Sequence, residues 1–235
     1  MTSFGIFLLS ALMLVPALLI AVPVHEMGHA LAAYLQGDRS VRYFGYFTLD
    51  PRRFIDPLGT IAILVLLVGW GRRVPVQPNR IQTTRQRLIH QLGGPAANLA
   101  AAIAFGFVLR GLERAGLQPL PILTPDLLAF AVKAIVFLNL SLFAFQLLPI
   151  PGLDGWDIVE TLFRRRWPRF FFDVSVRRRE IWVGAVLVVF IGSFLGLPVL
   201  SWVMAPFYTP ASLISVGQCI GYGVPRFNAL YPCLQ

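Results

Sequence analysis

Apolar and polar positions divide this chain into long hydrophobic runs separated by short segments rich in arginine. Residues 4–34, 91–109, 127–148 and 181–204 are almost wholly apolar. A helix rises about 1.5 Å per residue and a bilayer core is about 30 Å thick, so each run is long enough to cross. A fifth run, 58–70, is shorter and has arginines on both sides. Its length suits a re-entrant or interfacial element better than a span. Residues 40–57 carry Val41, Tyr43, Phe44, Tyr46, Phe47 and Thr48, a strand-like composition. The predicted fold class is therefore an all-α membrane protein. It has about four transmembrane helices, a short re-entrant element, and a small β-hairpin or sheet edge after the first helix.

Composition agrees with a lipid environment: 57% of residues are hydrophobic and only 13% charged. The first run is too long for a signal peptide and no basic region precedes it. Its thirty-one residues exceed the membrane core, so tilting, or kinking at Pro16 and Pro23, is expected. Net charge is +9, and sixteen of the nineteen arginines fall in segments 36–57, 71–90 and 149–180. Four spans with both termini outside place all three segments in the cytoplasm, as the positive-inside bias requires. If 58–70 crossed, one basic segment would have to lie outside. The expected organisation is a membrane domain over 1–204 and an extracytoplasmic tail over 205–235. No aromatic-interleaved basic groove marks a nucleic-acid partner. Cys219 and Cys233, both in the tail, suit either a disulfide or two free thiols.

The chain has three histidines, and two of them stand in His25-Glu26-Met27-Gly28-His29, inside the first apolar run. On a helix His25 and His29 project from one face, a turn apart. Two neutral imidazoles so placed can share one Zn²⁺, with Glu26 beside the open position as general base. The bland alternative, a hydrogen-bonded polar patch in the bundle, leaves costly groups in lipid without a purpose. A catalytic zinc site usually has a third protein ligand. No HxxGxxH continuation follows, and the remaining candidates are His90, Asp154, the other acids and the cysteines. Asp154 stands out in Leu147-Leu148-Pro149-Ile150-Pro151-Gly152-Leu153-Asp154-Gly155, at the cytoplasmic end of the third span. The prolines hold an extended segment there and Gly155 permits a sharp turn after the acid. In Gly93-Gly94-Pro95-Ala96-Ala97-Asn98 the small residues allow close helix approach. Asn98 suits either a substrate backbone or oxyanion contact, or a bond between helices.

HEMGH in an apolar span, GGPAANL and LLPIPGLDG, in that order, resemble the site-2 protease family of intramembrane zinc metallopeptidases. Residues 47–60 and 69–78 are similar to its compact bacterial-type branch without a PDZ domain. The resemblance covers roughly residues 20–160. It implies that His25, His29 and Asp154 bind Zn²⁺, that Glu26 is the catalytic base, and that Asn98 contacts substrate. Gln146, Gly152, Trp156 and Phe54 stand where the family often has Asn, Pro, Gly and His. The implied function is hydrolysis of a peptide bond in or near a transmembrane segment of a membrane-protein substrate. A sheet edge supplied by residues 40–57, or the loop containing Gly152, is expected to hold that segment in extended form. The expected surroundings are the lipid bilayer of a prokaryotic cell membrane, with the site toward the cytoplasm and a homo-oligomer or larger membrane complex as context. A proteolytically inactive scaffold on the same fold is the alternative. A metal or solute carrier is a third reading, but the repeated halves common in transporters are absent.

Overall fold

The computed structural model describes residues 3–221 apart from 49, 58, 60–70, 78, 118–126, 196 and 198. The expected re-entrant element at 58–70 lies almost entirely outside the described residues. Among them the chain is helical, without a named strand.

Helix α1 (Ser3–Leu35) runs through both Pro16 and Pro23. α2 (Ser40–Tyr43) and a 3₁₀ turn (Pro51–Arg53) follow. α3 (Thr84–Arg114) opens on a capping box in which Thr83 and Gln86 each accept the other's backbone N–H. α4 is Leu127–Gln146, α5 Asp154–Phe163, α6 Pro168–Val176, α7 Arg178–Phe194 and α8 Val199–Val216. Among the described residues, four helices are long and apolar enough to span a membrane: α1 over Leu14–Leu35, α3, α4 and α8.

Two expectations are corrected. Residues 40–57 do not form an edge strand. Asp38 accepts from the N–H and hydroxyl of Ser40, and Arg53 Nη1 donates to the Phe44 carbonyl at 2.6 Å, folding the segment into turns. The run 181–204 is not one helix either. It divides between α7 and α8 around Gly196-Leu197-Pro198, where glycine and proline disfavour a continuous helix. α8, itself long and apolar enough to span, runs on to Val216. Cys219, just beyond it, is disulfide-bonded; Cys233 lies outside the described residues.

The helix directions follow from contacts. α1 and α3 are antiparallel and touch backbone to backbone: a Cβ on Gly93 would sit 2.6 Å from the Gly28 carbonyl oxygen. The Ser215 carbonyl near the end of α8 lies against Gly106 of α3, and Gly217 is near Arg110. Midway along α8, Tyr208 meets Phe137 of α4 edge to face. One face of the bundle therefore holds the start of α1 and the ends of α3 and α8. The opposite face holds the end of α1, the starts of α3 and α5, and the segments that carry sixteen of the arginines.

Candidate metal centre

His25 lies ten residues before the end of α1, roughly 15 Å below the arginine-rich face. Its Nε2, the Nε2 of His29 and Oδ2 of Asp154 are mutually 3.1 Å apart. All three residues are buried, and they form a group able to hold a metal ion. Asp154 arrives from 125 positions away because the turn after α4 returns the chain and α5 begins at that residue. A Cβ on Gly94 would lie 2.7 Å from His25 Nε2, so this glycine leaves the space in which the imidazoles converge.

The outer hydrogen bonds decide the tautomers. Asn98 Nδ2 donates to the Ala21 carbonyl at 2.9 Å and to Asn139 Oδ1 at 2.8 Å. Its Oδ1 therefore faces His25 Nδ1, at 2.6 Å, and accepts from it. His29 Nδ1 donates to the His90 carbonyl at 2.8 Å. With both Nδ1 atoms carrying protons, neutral imidazoles turn two Nε2 lone pairs toward each other and toward a carboxylate. Such a cluster repels itself unless a cation joins it, and imidazole with carboxylate is a donor set that zinc accepts. The residues present fit the metal.

Glu26 is also buried and lines the same cleft of about 440 Å³. Across that cleft lies the segment 71–77. Val74 N–H donates to Glu26 Oε2 at 3.2 Å. Arg73 donates to the Gly152 carbonyl at 2.6 Å and to Asp157 Oδ2 at 2.9 Å. Burial weakens a guanidinium, yet Asp157 and Asp154 raise the Arg73 pKa above its ordinary value, so it stays charged. Gly152, at φ +113°, occupies a conformation that other residues rarely adopt.

Of the residues expected from sequence, His25, His29, Asp154, Glu26 and Gly152 meet at this cleft. Asn98 is not among its lining residues. It is fully buried, its amide bonds hold α1, α3 and α4 together, and its Oδ1 accepts from His25 Nδ1. His90 gives His29 its carbonyl, and its ring Nδ1 is 3.2 Å from the His29 carbonyl. Sequence reasoning passed over Asn139, although a lone amide within an apolar span marked it. Arg73 and Asp157 carried no local signal.

No family model and no solved structure matches the chain. It is 39% identical over 152 residues to "Putative zinc metalloprotease YwhC" of Bacillus subtilis, covering 63% of this chain and 68% of that protein. It is 35% identical over 162 residues to "Putative zinc metalloprotease Rip2" of Mycolicibacterium smegmatis, covering 66% of this chain and 58% of the relative. The Rip2 protein of Mycobacterium tuberculosis is 34% identical over 154 residues, covering 63% and 56%. The chain thus spans just over half the length of the Rip2 proteins. The metal that the relatives' names and this donor set share is zinc. By its likeness to YwhC the chain belongs to that family of zinc metalloproteases, which fits the site-2 protease resemblance carried by its motifs.

Proposed function

We propose that this protein is an intramembrane zinc metalloprotease that hydrolyses a peptide bond in or beside a transmembrane segment of a membrane-protein substrate. The observation that carries the reading is the convergence, roughly 15 Å inside a membrane-length helix, of three metal-donor atoms and a buried glutamate on one cleft.

His25, His29 and Asp154 would hold the zinc, which when bound would supply a Lewis acid for the scissile carbonyl and acidify water. Glu26 takes a proton from the attacking water as the water oxygen bonds to the carbonyl carbon. The same proton passes to the amide nitrogen as the C–N bond breaks, leaving a carboxylate and an amine. Asn98 and the His90 carbonyl keep the two imidazoles turned toward the site. A substrate helix has its backbone bonds satisfied internally, so the scissile segment must unwind to enter. The Gly152 carbonyl, now held by Arg73, is an acceptor that an extended segment can use. Concentration of arginine on the site's face supports a cytoplasmic orientation in a prokaryotic cell membrane.

The test uses the purified full chain and a labelled model transmembrane peptide with a glycine-proline pair near its site-side end. Glu26→Gln is expected to keep zinc and abolish cleavage, and Asp154→Ala to lose both. Wild type that binds zinc stoichiometrically yet cuts no membrane peptide, and whose cellular role survives Glu26→Gln, identifies the inactive scaffold instead.

A further inference from the structure

Apart from Arg178, which also lines the metal cleft, residues 162–179 lie outside it, and they combine arginines with exposed apolar side chains. The stretch holds arginines at 164–166, 169 and 177–179 against one acid, Asp173. It also exposes large apolar side chains. Phe172 is 62% and Val176 67% exposed, four residues apart on one face of α6, and Trp167 is 52% exposed. Phe171 alone in α6 is buried, where it meets Trp156 with ring centroids 5.4 Å apart. Trp167 stacks on Phe163 at 5.5 Å.

Position narrows what such a surface can meet. α5 climbs from Asp154 alongside α3: Gln91 donates to Thr161 at 2.8 Å. Arg164 and Arg165 line a cavity with Gln82, Thr84 and Arg87 at the start of α3. α6 therefore begins where the spanning helices leave the membrane. α7 returns the chain to the cleft mouth, where Trp182 Nε1 is 3.2 Å from a Cβ placed on Gly152. Its outer side, with Val183, Leu187, Val188 and Ile191 exposed, continues the apolar surface.

We propose that residues 162–179 dock on the headgroup layer of anionic phospholipid. Aromatic side chains set among arginines at bilayer-surface height match a layer that is apolar below and negative above. A second copy of this chain is disfavoured, because seven arginines would face seven. An acidic protein partner would satisfy the charges but leave Phe172 and Val176 in water. The height assigned to α6 rests on the membrane-embedded reading of the bundle, but not on proteolysis.

The experiment places a nitroxide at Phe172→Cys in the otherwise unaltered chain. The protein is reconstituted in discs of phosphatidylcholine alone or with one third phosphatidylglycerol. The ratio of oxygen to nickel-chelate collision rates reports depth, whether or not the protein cleaves anything. It is expected to rise several-fold with phosphatidylglycerol. Arg164→Gln/Arg165→Gln/Arg166→Gln, or independently Arg169→Gln/Arg177→Gln, should erase that rise while zinc content stays at the wild-type level. Equal water accessibility in both lipids overturns the proposal. Dipolar broadening that disappears on dilution with unlabelled protein also overturns it and identifies a second copy as the occupant. A label that becomes protected only on adding a soluble acidic polypeptide overturns it in favour of a protein partner.

Discussion

The backbone N–H of Val74 donates to Oε2 of Glu26 across 3.2 Å, so the proposed catalytic base is engaged by the chain's own segment. That segment is tied down at both ends. Arg72 N–H donates to the Phe54 carbonyl at 2.7 Å and Gln77 N–H to Asp38 Oδ2 at 2.8 Å. Arg73 bridges it to Gly152 and Asp157 in between. On the proposed function, a substrate that reaches the metal site must lift this strap. Half of the Arg73 side chain is exposed, so its bonds are discounted to about 1 kcal/mol in all. That corresponds to roughly five-fold in the open population. Arg73→Ala is expected to raise kcat/KM on a transmembrane peptide by about that factor without changing zinc content. A fall in kcat/KM would show that the arginine serves the substrate instead of the strap.

Asn98→Ala separates two roles for the amide. The substitution leaves Asn139 Oδ1 and His25 Nδ1 without a partner in a buried place, at about 1–3 kcal/mol per orphaned group. Loss of an outer partner of a metal-bound imidazole typically weakens metal affinity by about 10–100-fold. Competition with a chelator should show that loss, together with a lower unfolding temperature. A substrate contact would leave zinc affinity unchanged and move KM alone.

The metal centre was legible because its chemistry is written locally. HEMGH sets two imidazoles one turn apart whatever surrounds the helix, whereas GGP announces only close helix approach and not the space that Gly94 leaves beside the imidazoles. Asp154 was legible from its turn. Relations between distant segments were not. Arg73 and Asp157 are 84 positions apart, and nothing near either one signals the other. Residues 40–57 misled because aromatic and β-branched content reports fitness for a half-buried surface and not strand pairing; Asp38 and Arg53 fold them into turns. The run 181–204 misled because average hydropathy hides a Gly-Leu-Pro break.

Gly94→Ala tests the metal space without altering any ligand. Its Cβ would fall 2.7 Å from His25 Nε2 and closer still to His29 Nε2. Neither ring can retreat, since Asn98 and the His90 carbonyl pin both Nδ1 atoms. The expected result is loss of stoichiometric zinc and of cleavage, with helical content by circular dichroism unchanged. Full zinc occupancy in this variant would mean that the ion binds elsewhere. Gly93→Ala, whose Cβ meets the α1 backbone, is expected to lower stability instead.

The pH dependence of the strap's anchor can be given a sign. Asp38 has no exposed surface. Burial alone would raise its pKa, but the Ser40 hydroxyl, the Gln77 and Ser40 N–H groups and nearby Arg80 hold it below the ordinary value of 3.8. A carboxyl whose pKa is depressed in the folded state contributes stability that is complete above the unfolded pKa, about 3.9. The contribution is lost as pH falls through the lower folded value. Wild type should therefore lose stability below about pH 4. Asp38→Asn places an NH₂ opposite the Gln77 N–H, two donors facing each other, and should cost about 1–3 kcal/mol at neutral pH. Its melting temperature should then fall less steeply than that of wild type between about pH 5 and 3. Parallel curves for the two proteins would show that the Asp38 carboxylate is not the group that anchors Gln77, and would remove this end of the strap from the account.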